Sequence, residues 1–344
     1  MQNEHQLETT PGPPPEAILT NIAFGALMTQ ALYVAAKLGI ADLVAEGVTS
    51  TDELAARTET NSPALYRILR SLASNGIFRE TEARNFELTP LADALRTGVS
   101  NSMRNAAIFM GESWHWAVWG DMLHSVKTGK PAWAKILSED VFDYFNQNPE
   151  AGEIFNNAMS DMSKGTAMPV VEAYDFSGFE TIADIAGGHG FLLAQILRST
   201  PAIKGLLFDV PAVIAGAGGF FREAGVEDRA ETVSGDFFEA VPAADAYIMK
   251  HIIHDWDDES ALRILASIRR AMIGDGRLLV VETVVPEGNG PDYSKLLDLE
   301  MLVSPGGLER TEAEFRSLFE RAGFSLTRII PTRSPMFIIE GRPV

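Results

Sequence analysis

The 344-residue sequence contains no cysteine, which excludes disulfides, thiolate metal sites and a cysteine nucleophile. A chain without disulfides fits a reducing compartment. Basic residues are scarce: 28 Lys and Arg stand against 47 Asp and Glu, a formal charge of −19. A nucleic-acid backbone is therefore a poor partner. No stretch reaches the roughly 20 uninterrupted apolar residues that span a bilayer, and the first residues lack a basic-then-apolar leader. The expectation is a soluble, cytoplasmic protein with no membrane contact. Also missing are a GxSxG elbow, an HExxH helix and a GxxxxGK[ST] loop, so hydrolase, zincin and P-loop readings have no support.

What is present falls into four segments. Residues 1–15 are polar and proline-rich, the composition of a flexible tail. Residues 16–100 open with a helical pattern (Ile18, Ile22, Ala26, Leu32, Leu38) that is apolar on several faces. Such a helix packs against a second subunit or, alternatively, serves as an intrachain core helix. Thr49–Arg84 then reads as a helix-turn-helix with a wing, capped at Thr49, Ser50 or Thr51 and again at Asn61-Ser62-Pro63. Residues 1–100 carry seven Lys or Arg against twelve Asp or Glu, so this winged helix reads as a scaffold rather than a DNA reader. Residues 101–170 are helical and hold four of the five tryptophans: Trp114, Trp116, Trp119 and Trp133. Most of these aromatics are core, but Trp114, Phe155, Met159 and Met162 also suit the wall of a pocket for a flat ligand.

Residues 171–344 alternate strands and helices, the signature of an α/β, doubly wound, mostly parallel Rossmann-like sheet. The informative stretch is Thr181–Gly190, TIADIAGGHG. A short apolar strand ends near Asp184, and Gly187, Gly188 and Gly190 turn the chain into the helix Phe191–Leu197. Glycines here let the backbone approach a ligand that the helix N–H groups face. A second strand ends in Asp209, about twenty residues beyond the last glycine, where an acid takes ribose hydroxyls. Leu193 replaces the small residue of the dinucleotide fingerprint, which favours a single adenosyl group over NAD. Asp236 and Phe237, after the third strand, suit an amino group and a purine face. Each of these carboxylates has the competing reading of a helix N-cap. A further helix is expected over Ala212–Ala224, a turn at Gly274-Asp275-Gly276 and a strand over Arg277–Glu282.

The run Lys250-His251-Ile252-Ile253-His254-Asp255-Trp256 follows the fourth strand, and Glu282 ends the fifth. His254 is placed to act as a base, with Glu282 on one imidazole nitrogen and Glu309 as a second such carboxylate. His251 reads equally as a packed or surface histidine. A metal held by His254, Asp255, Asp257 and Asp258 is the weaker alternative, because Asp257 and Asp258 suit the first turn of a helix.

Five motifs in order, DIAGGHG at 184–190, FDVP at 208–211, GDFF at 235–238, MKHIIHDWDDE at 249–259 and GGLERT at 306–311, resemble the S-adenosylmethionine-dependent O-methyltransferases of the plant caffeate and bacterial anthracycline type. The resemblance covers about residues 15–342. It implies a homodimer through the N-terminal winged-helix domain, S-adenosylmethionine as cofactor, no metal, and a small aromatic phenol as acceptor. It assigns Ser163, Asp184, Gly187, Gly188, Gly190, Asp209, Val210, Gly235, Asp236, Phe237, Lys250 and Trp256 to the cofactor. His254, Glu282 and Glu309 become catalytic, and Trp114, Phe155, Met159, Met162, Asp255 and Met301 face the acceptor. Two positions depart from the family pattern: Ala186 replaces the first glycine of the turn, and Met162 stands where plant members often carry histidine. Hydroxylation or decarboxylation of an aromatic polyketide on the same fold is the main alternative. A winged-helix DNA-binding regulator is the other.

Overall fold

Pro15 opens the first helix because its fixed φ suits the first helical position and the extended Pro14 precedes it. In the computed structural model, which describes residues 13–344, this helix runs Pro15–Lys37 and buries only Ala31, Ala35 and Ala36. Ile18, Leu19, Ile22, Phe24 and Leu27 are exposed on its first half. The tail expected at 1–15 lies outside the described residues as far as residue 12. By length and composition the helix is apolar enough to cross a membrane. The expectation that no such stretch exists counted uninterrupted apolar residues, whereas here threonine, asparagine and glycine are spread through an apolar average.

The described residues divide into two units, one ending at Glu112 and one spanning Ser113–Val344. In the first, the second half of helix Pro15–Lys37 packs on helix Arg104–Gly111, where Gln30 Nε2 donates to the Gly111 carbonyl at 3.1 Å. Ser50 caps helix Thr51–Arg57 and Asn61 caps Ser62–Ala73, each accepting a backbone N–H. Leu65, Leu69 and Leu72 line the buried face of Ser62–Ala73. The wing is the antiparallel pair β1 (Phe78–Glu80) and β2 (Phe86–Leu88).

The second unit begins with short helices over 113–147 and the long helix Pro149–Ala173. Its sheet comprises β3 (Thr181–Ile185), β4 (Lys204–Asp209), β5 (Ala230–Ser234), β6 (Ala244–Lys250), β7 (Met272–Glu282), β8 (Phe324–Pro331) and β9 (Phe337–Pro343). Their order is β5-β4-β3-β6-β7-β9-β8, parallel through β7, with β9 antiparallel to both its neighbours. The strand order reverses between β3 and β6, the point at which a doubly wound sheet binds its ligand beyond the carboxyl ends. Leu193, Ile196 and Leu197 cover one face; Ile264, Ile268, Phe315 and Phe319 cover the other.

Two local expectations need correction. Ala212–Ala224 is two helices, Pro211–Ile214 and Ala217–Glu223, because Gly216, Gly218 and Gly219 weaken helix propagation between them. The turn expected at Gly274-Asp275-Gly276 lies inside β7. There Met272 pairs with Ala244 and Arg277 with Ala246, so residues 273–276 bulge from the ladder.

A buried carboxylate ties the two last strands to the end of helix Pro149–Ala173. Glu340 accepts from Tyr174 Oη (2.7 Å), from Arg328 Nε (3.1 Å) and from Thr327 Oγ1. Burial alone pushes its pKa up, but Arg328, Thr327 and Tyr174 together bring it down to about 2 from the usual 4.5. A depressed pKa stabilises the fold fully above the unfolded value and loses that stability as pH falls through the folded one. Wild type is therefore expected to unfold at higher urea than Glu340→Gln above pH 4.5. The gap should close between pH 4.5 and 2 in paired denaturation curves.

Candidate active site

Asp184 lies 1% exposed near the end of the central strand β3. Burial, with Asp209 nearby, pushes its pKa up to about 7, while the Lys250 charge and the Leu193 N–H pull the other way. Its Oδ2 has no hydrogen-bond partner among the described residues. A Cβ added at Gly187 would sit 2.5 Å from Asp184 Cγ and 2.6 Å from Leu207 Cδ1. Only glycine lets the turn pass over this acid. Ala186 holds a left-handed φ of 54° and donates its N–H to the Phe208 carbonyl at 2.7 Å. The departure from glycine thus stores about 1 kcal/mol of strain at the start of the turn.

Asp209 Oδ2 accepts the Gly188 N–H at 2.9 Å and its Oδ1 the Val210 N–H at 2.7 Å. Each oxygen retains a free acceptor site. Gly190, also left-handed, caps helix Phe191–Ser199. Gly235 N–H donates to the Asp209 carbonyl at 3.2 Å, and Asp236 Oδ1 accepts the Phe238 N–H at 2.7 Å. The structure brings Phe237 edge-on to Trp256, with ring centroids 5.9 Å apart, and stacks Trp256 on Phe142. Lys250, at the end of β6, donates to Ser163 Oγ of helix Pro149–Ala173 at 2.6 Å. Burial pulls the Lys250 pKa down to about 8.

His254 sits buried in the turn Ile253–Asp255 after β6. Its Nδ1 lies 2.5 Å from Glu309 Oε1, and its Nε2 lies 3.6 Å from Asp255 Oδ1. The two glutamates divide the work differently from the sequence expectation. Glu309 holds the ring, whereas Glu282 Oε1 accepts the backbone N–H of His254 at 3.0 Å and of Ile252 at 3.3 Å. Burial lowers the His254 pKa, but Asp255, the Glu309 bond and the Glu282 charge outweigh it and raise the pKa to about 9. Burial pushes Glu282 up to about 7 and Asp255 up to about 6. His251 is left-handed, its ring 5.0 Å from that of His254, and burial with the Lys250 charge holds its pKa well below the usual value.

Glu309 reaches His254 because the GGLERT segment lies directly on the histidine turn. Leu308 N–H donates to the His254 carbonyl at 2.9 Å. A side chain at Gly307 would overlap the His254 carbonyl oxygen and the Asp255 backbone. Arg310, fully buried, donates to the carbonyls of Ile253 (3.1 Å) and Trp256 (3.0 Å) and pairs with Asp258. In the sequence Gly307 and Arg310 stand out only as letters of the GGLERT motif. Thr283 and Asp298, which bond Glu309, carried no signal at all.

Of the residues expected to face the acceptor, Trp114 and Phe155 join one aromatic cluster through Phe145, at 5.6 and 4.5 Å between centroids. Met159 and Met162 are half-buried on the helix that carries Ser163, and Met301 is buried. Glu300 beside Met301 is held by His115 Nε2 at 3.0 Å and Trp119 Nε1 at 2.6 Å. Among the described residues no three His, Asp or Glu side chains group to hold a metal ion. Asp257 instead caps helix Asp258–Ala271.

A Rossmann-like sheet with a glycine turn at its switch point is the architecture of a nucleotide-type binding fold, and here a histidine–carboxylate pair stands at the neighbouring strand ends. The O-methyltransferase domain family matches residues 119–325, and the O-methyltransferase dimerisation domain matches residues 20–98. The phenazine O-methyltransferase PhzM of Lysobacter antibioticus is 50% identical over 96% of this chain and 97% of its own length. An 8-amino-8-demethylriboflavin N,N-dimethyltransferase of Streptomyces davaonensis is 38% identical over 90% of both chains. CalO1, a methyltransferase of calicheamicin biosynthesis solved with S-adenosylhomocysteine, superposes with a TM-score of 0.83 at 35% identity, covering 96% of this chain and 98% of its own. The chain belongs to the O-methyltransferase family and is an S-adenosylmethionine-dependent methyltransferase.

Gly307→Ala should lower kcat/KM for methyl transfer by about 10²-fold, since it displaces the His254 backbone that carries the site. S-adenosylhomocysteine release, compared with the melting curve of the same variant, checks this. Unchanged kinetics would show that the contact does not position His254.

Proposed function

We propose that this enzyme methylates a phenolic hydroxyl of a small, flat aromatic metabolite, with His254 as the general base. The observation that carries the reading is the buried imidazole whose Nδ1 is locked on Glu309 at 2.5 Å. That bond leaves Nε2 as the nitrogen able to take a proton. The aromatic acceptor rests on the cluster of Trp114, Phe145 and Phe155 and on the phenazine relative at 50% identity.

The residues at the switch point fit the cofactor. Asp184, with an unpartnered buried oxygen beneath Gly187, offers a site for an ammonium group, whose charge would return the acid to its ionised form. Asp209 offers two free acceptor positions for ribose hydroxyls. Gly188, Gly190, Val210 and Gly235 shape the backbone around it, and Asp236, Phe237 and Trp256 suit the purine, with Lys250 and Ser163 on the side of helix Pro149–Ala173. S-adenosylmethionine, when bound, supplies an electrophilic methyl group.

His254 removes the phenol proton as the oxygen attacks, and Glu309 stabilises the imidazolium that forms. A phenol of pKa near 10 is a poor nucleophile at neutral pH without such help. Glu282 keeps the turn in place through the His254 N–H. Most of the rate comes from holding the oxygen in line with the methyl carbon, because oriented pairs reach effective molarities of order 10⁵ M or more.

Because the free His254 carries a proton below about pH 9, activity rises with pH towards that value. His254→Ala should lower kcat/KM by about 10² or more. Glu309→Gln, which removes a group that raises the His254 pKa, should move the rise to lower pH. An acceptor whose own pKa lies outside the range keeps the profile interpretable. A flat profile, or full activity in His254→Ala, would contradict the base.

A second copy of this chain covers the apolar first half of helix Pro15–Lys37. An open groove of about 930 Å³ between this helix and Ser62–Ala73, lined by Leu27, Val34, Leu38 and Ile68, continues that surface. The double variant Ile22→Glu, Leu27→Glu should shift the protein from dimer to monomer in light scattering. A dimer that persists would place the interface elsewhere.

A further inference from the structure

Thr283 follows Glu282 directly after β7 and is 2% exposed. Its hydroxyl donates to Glu309 Oε2, the oxygen that does not touch His254. Glu309 is otherwise fixed by its own N–H, which donates to Asp298 Oδ1 at 2.9 Å. The side chain of Glu309 is fully buried, so water does not replace a lost donor. A β-branched side chain has few χ1 rotamers, so the hydroxyl position is set by the backbone at the strand end.

We propose that Thr283 is a positioning residue for His254, acting through Glu309: its hydroxyl fixes the rotation of the carboxylate on Nδ1 and sets how tightly the pair holds its proton. The inference deepens the base reading above and rests on it. The physical argument has two parts. With Oε2 bonded, the carboxylate is held with Oε1 towards the imidazole, and the ring keeps one orientation. The hydroxyl also draws charge away from Oε1, since a hydrogen bond to an anion lowers its attraction for a proton. Without the hydroxyl, that charge falls on the imidazolium alone and His254 gives up its proton at higher pH.

The other charged or titratable groups facing the pair are Asp255 and His251 on the histidine turn, Glu282 on β7, Arg310 next to Glu309, and Asp298 and Tyr293 on helix Tyr293–Val303. Thr283 differs from all of them in being an uncharged donor to the Glu309 carboxylate. Its removal changes the pair without adding or deleting a charge.

The test compares Thr283→Val, which keeps the shape, Thr283→Ser, which keeps the hydroxyl, and His254→Ala, each by S-adenosylhomocysteine release across about pH 6 to 11, wide enough to bracket a midpoint moved up from about 9. Thr283→Val should lower kcat by about 10-fold or more, with acceptor KM changed less than about threefold. The midpoint of its pH rise should move up by about one unit, the size expected for one hydrogen bond to a buried charge. Thr283→Ser should restore both the rate and the midpoint. A Thr283→Val profile that superimposes on wild type, alongside loss of activity in His254→Ala, overturns the positioning role alone. Full activity in His254→Ala removes the base and this inference with it.

Discussion

The hydrogen bond between Glu309 and His254 is the constraint on which the rest of the active end depends. Both groups are buried, and a buried charge left without its partner costs about 3–5 kcal/mol. The fold meets this by laying residues 306–311 directly on the turn after β6. Gly307 permits the approach, Leu308 pairs with the His254 carbonyl, and Arg310 takes the carbonyls of Ile253 and Trp256. Glu282 secures the same turn from below through backbone N–H groups. His254 is therefore held on its ring and on its main chain by different carboxylates.

Beside the glycine turn, too, charged groups are buried next to each other. Asp184 is buried without a full set of partners, and Lys250 is buried beside it. Burial pushes the acid up to about 7 and the lysine down to about 8, so the two titrate within about one pH unit of each other. Asp209 meanwhile draws the Gly188 and Val210 N–H groups to one carboxylate and ties the two βα turns together. The sheet's switch point thus presents carboxylate oxygens, and the neighbouring strand ends present the His254–Glu309 pair. Their adjacency follows from the β3–β6–β7 order.

Much of this was legible in the sequence because the informative residues lie at strand ends. Apolar runs stopping at Asp184, Asp209 and Lys250 located β3, β4 and β6, and the glycines marked the first turn. The alternation pointed to the doubly wound sheet, and the acids and aromatics after each strand identified the ligand edge. What stayed hidden depends on which atom faces which. Glu282 and Glu309 look equivalent as two carboxylates near one histidine, but the end of β7 brings Glu282 to the backbone of the histidine turn, while the docking of residues 306–311 on that turn brings Glu309 to the ring. Gly307 and His254 are 53 positions apart, and nothing local announces their contact. Thr283 resembles any threonine at the end of a strand. The bulge at 273–276 looks like a turn in sequence because Gly274 and Gly276 suit either structure. The first helix escaped a count of uninterrupted apolar residues because polar residues are scattered along it.

The central claim is that His254 is held as a buried imidazolium by Glu309 in the resting enzyme. The chain has only six histidines, so ¹⁵N-histidine NMR of wild type and His254→Ala assigns the resonance directly. One imidazole should titrate near pH 9, be absent from the variant and keep Nδ1 protonated throughout. A His254 resonance that titrates at or below the ordinary value near 6.5 would contradict it.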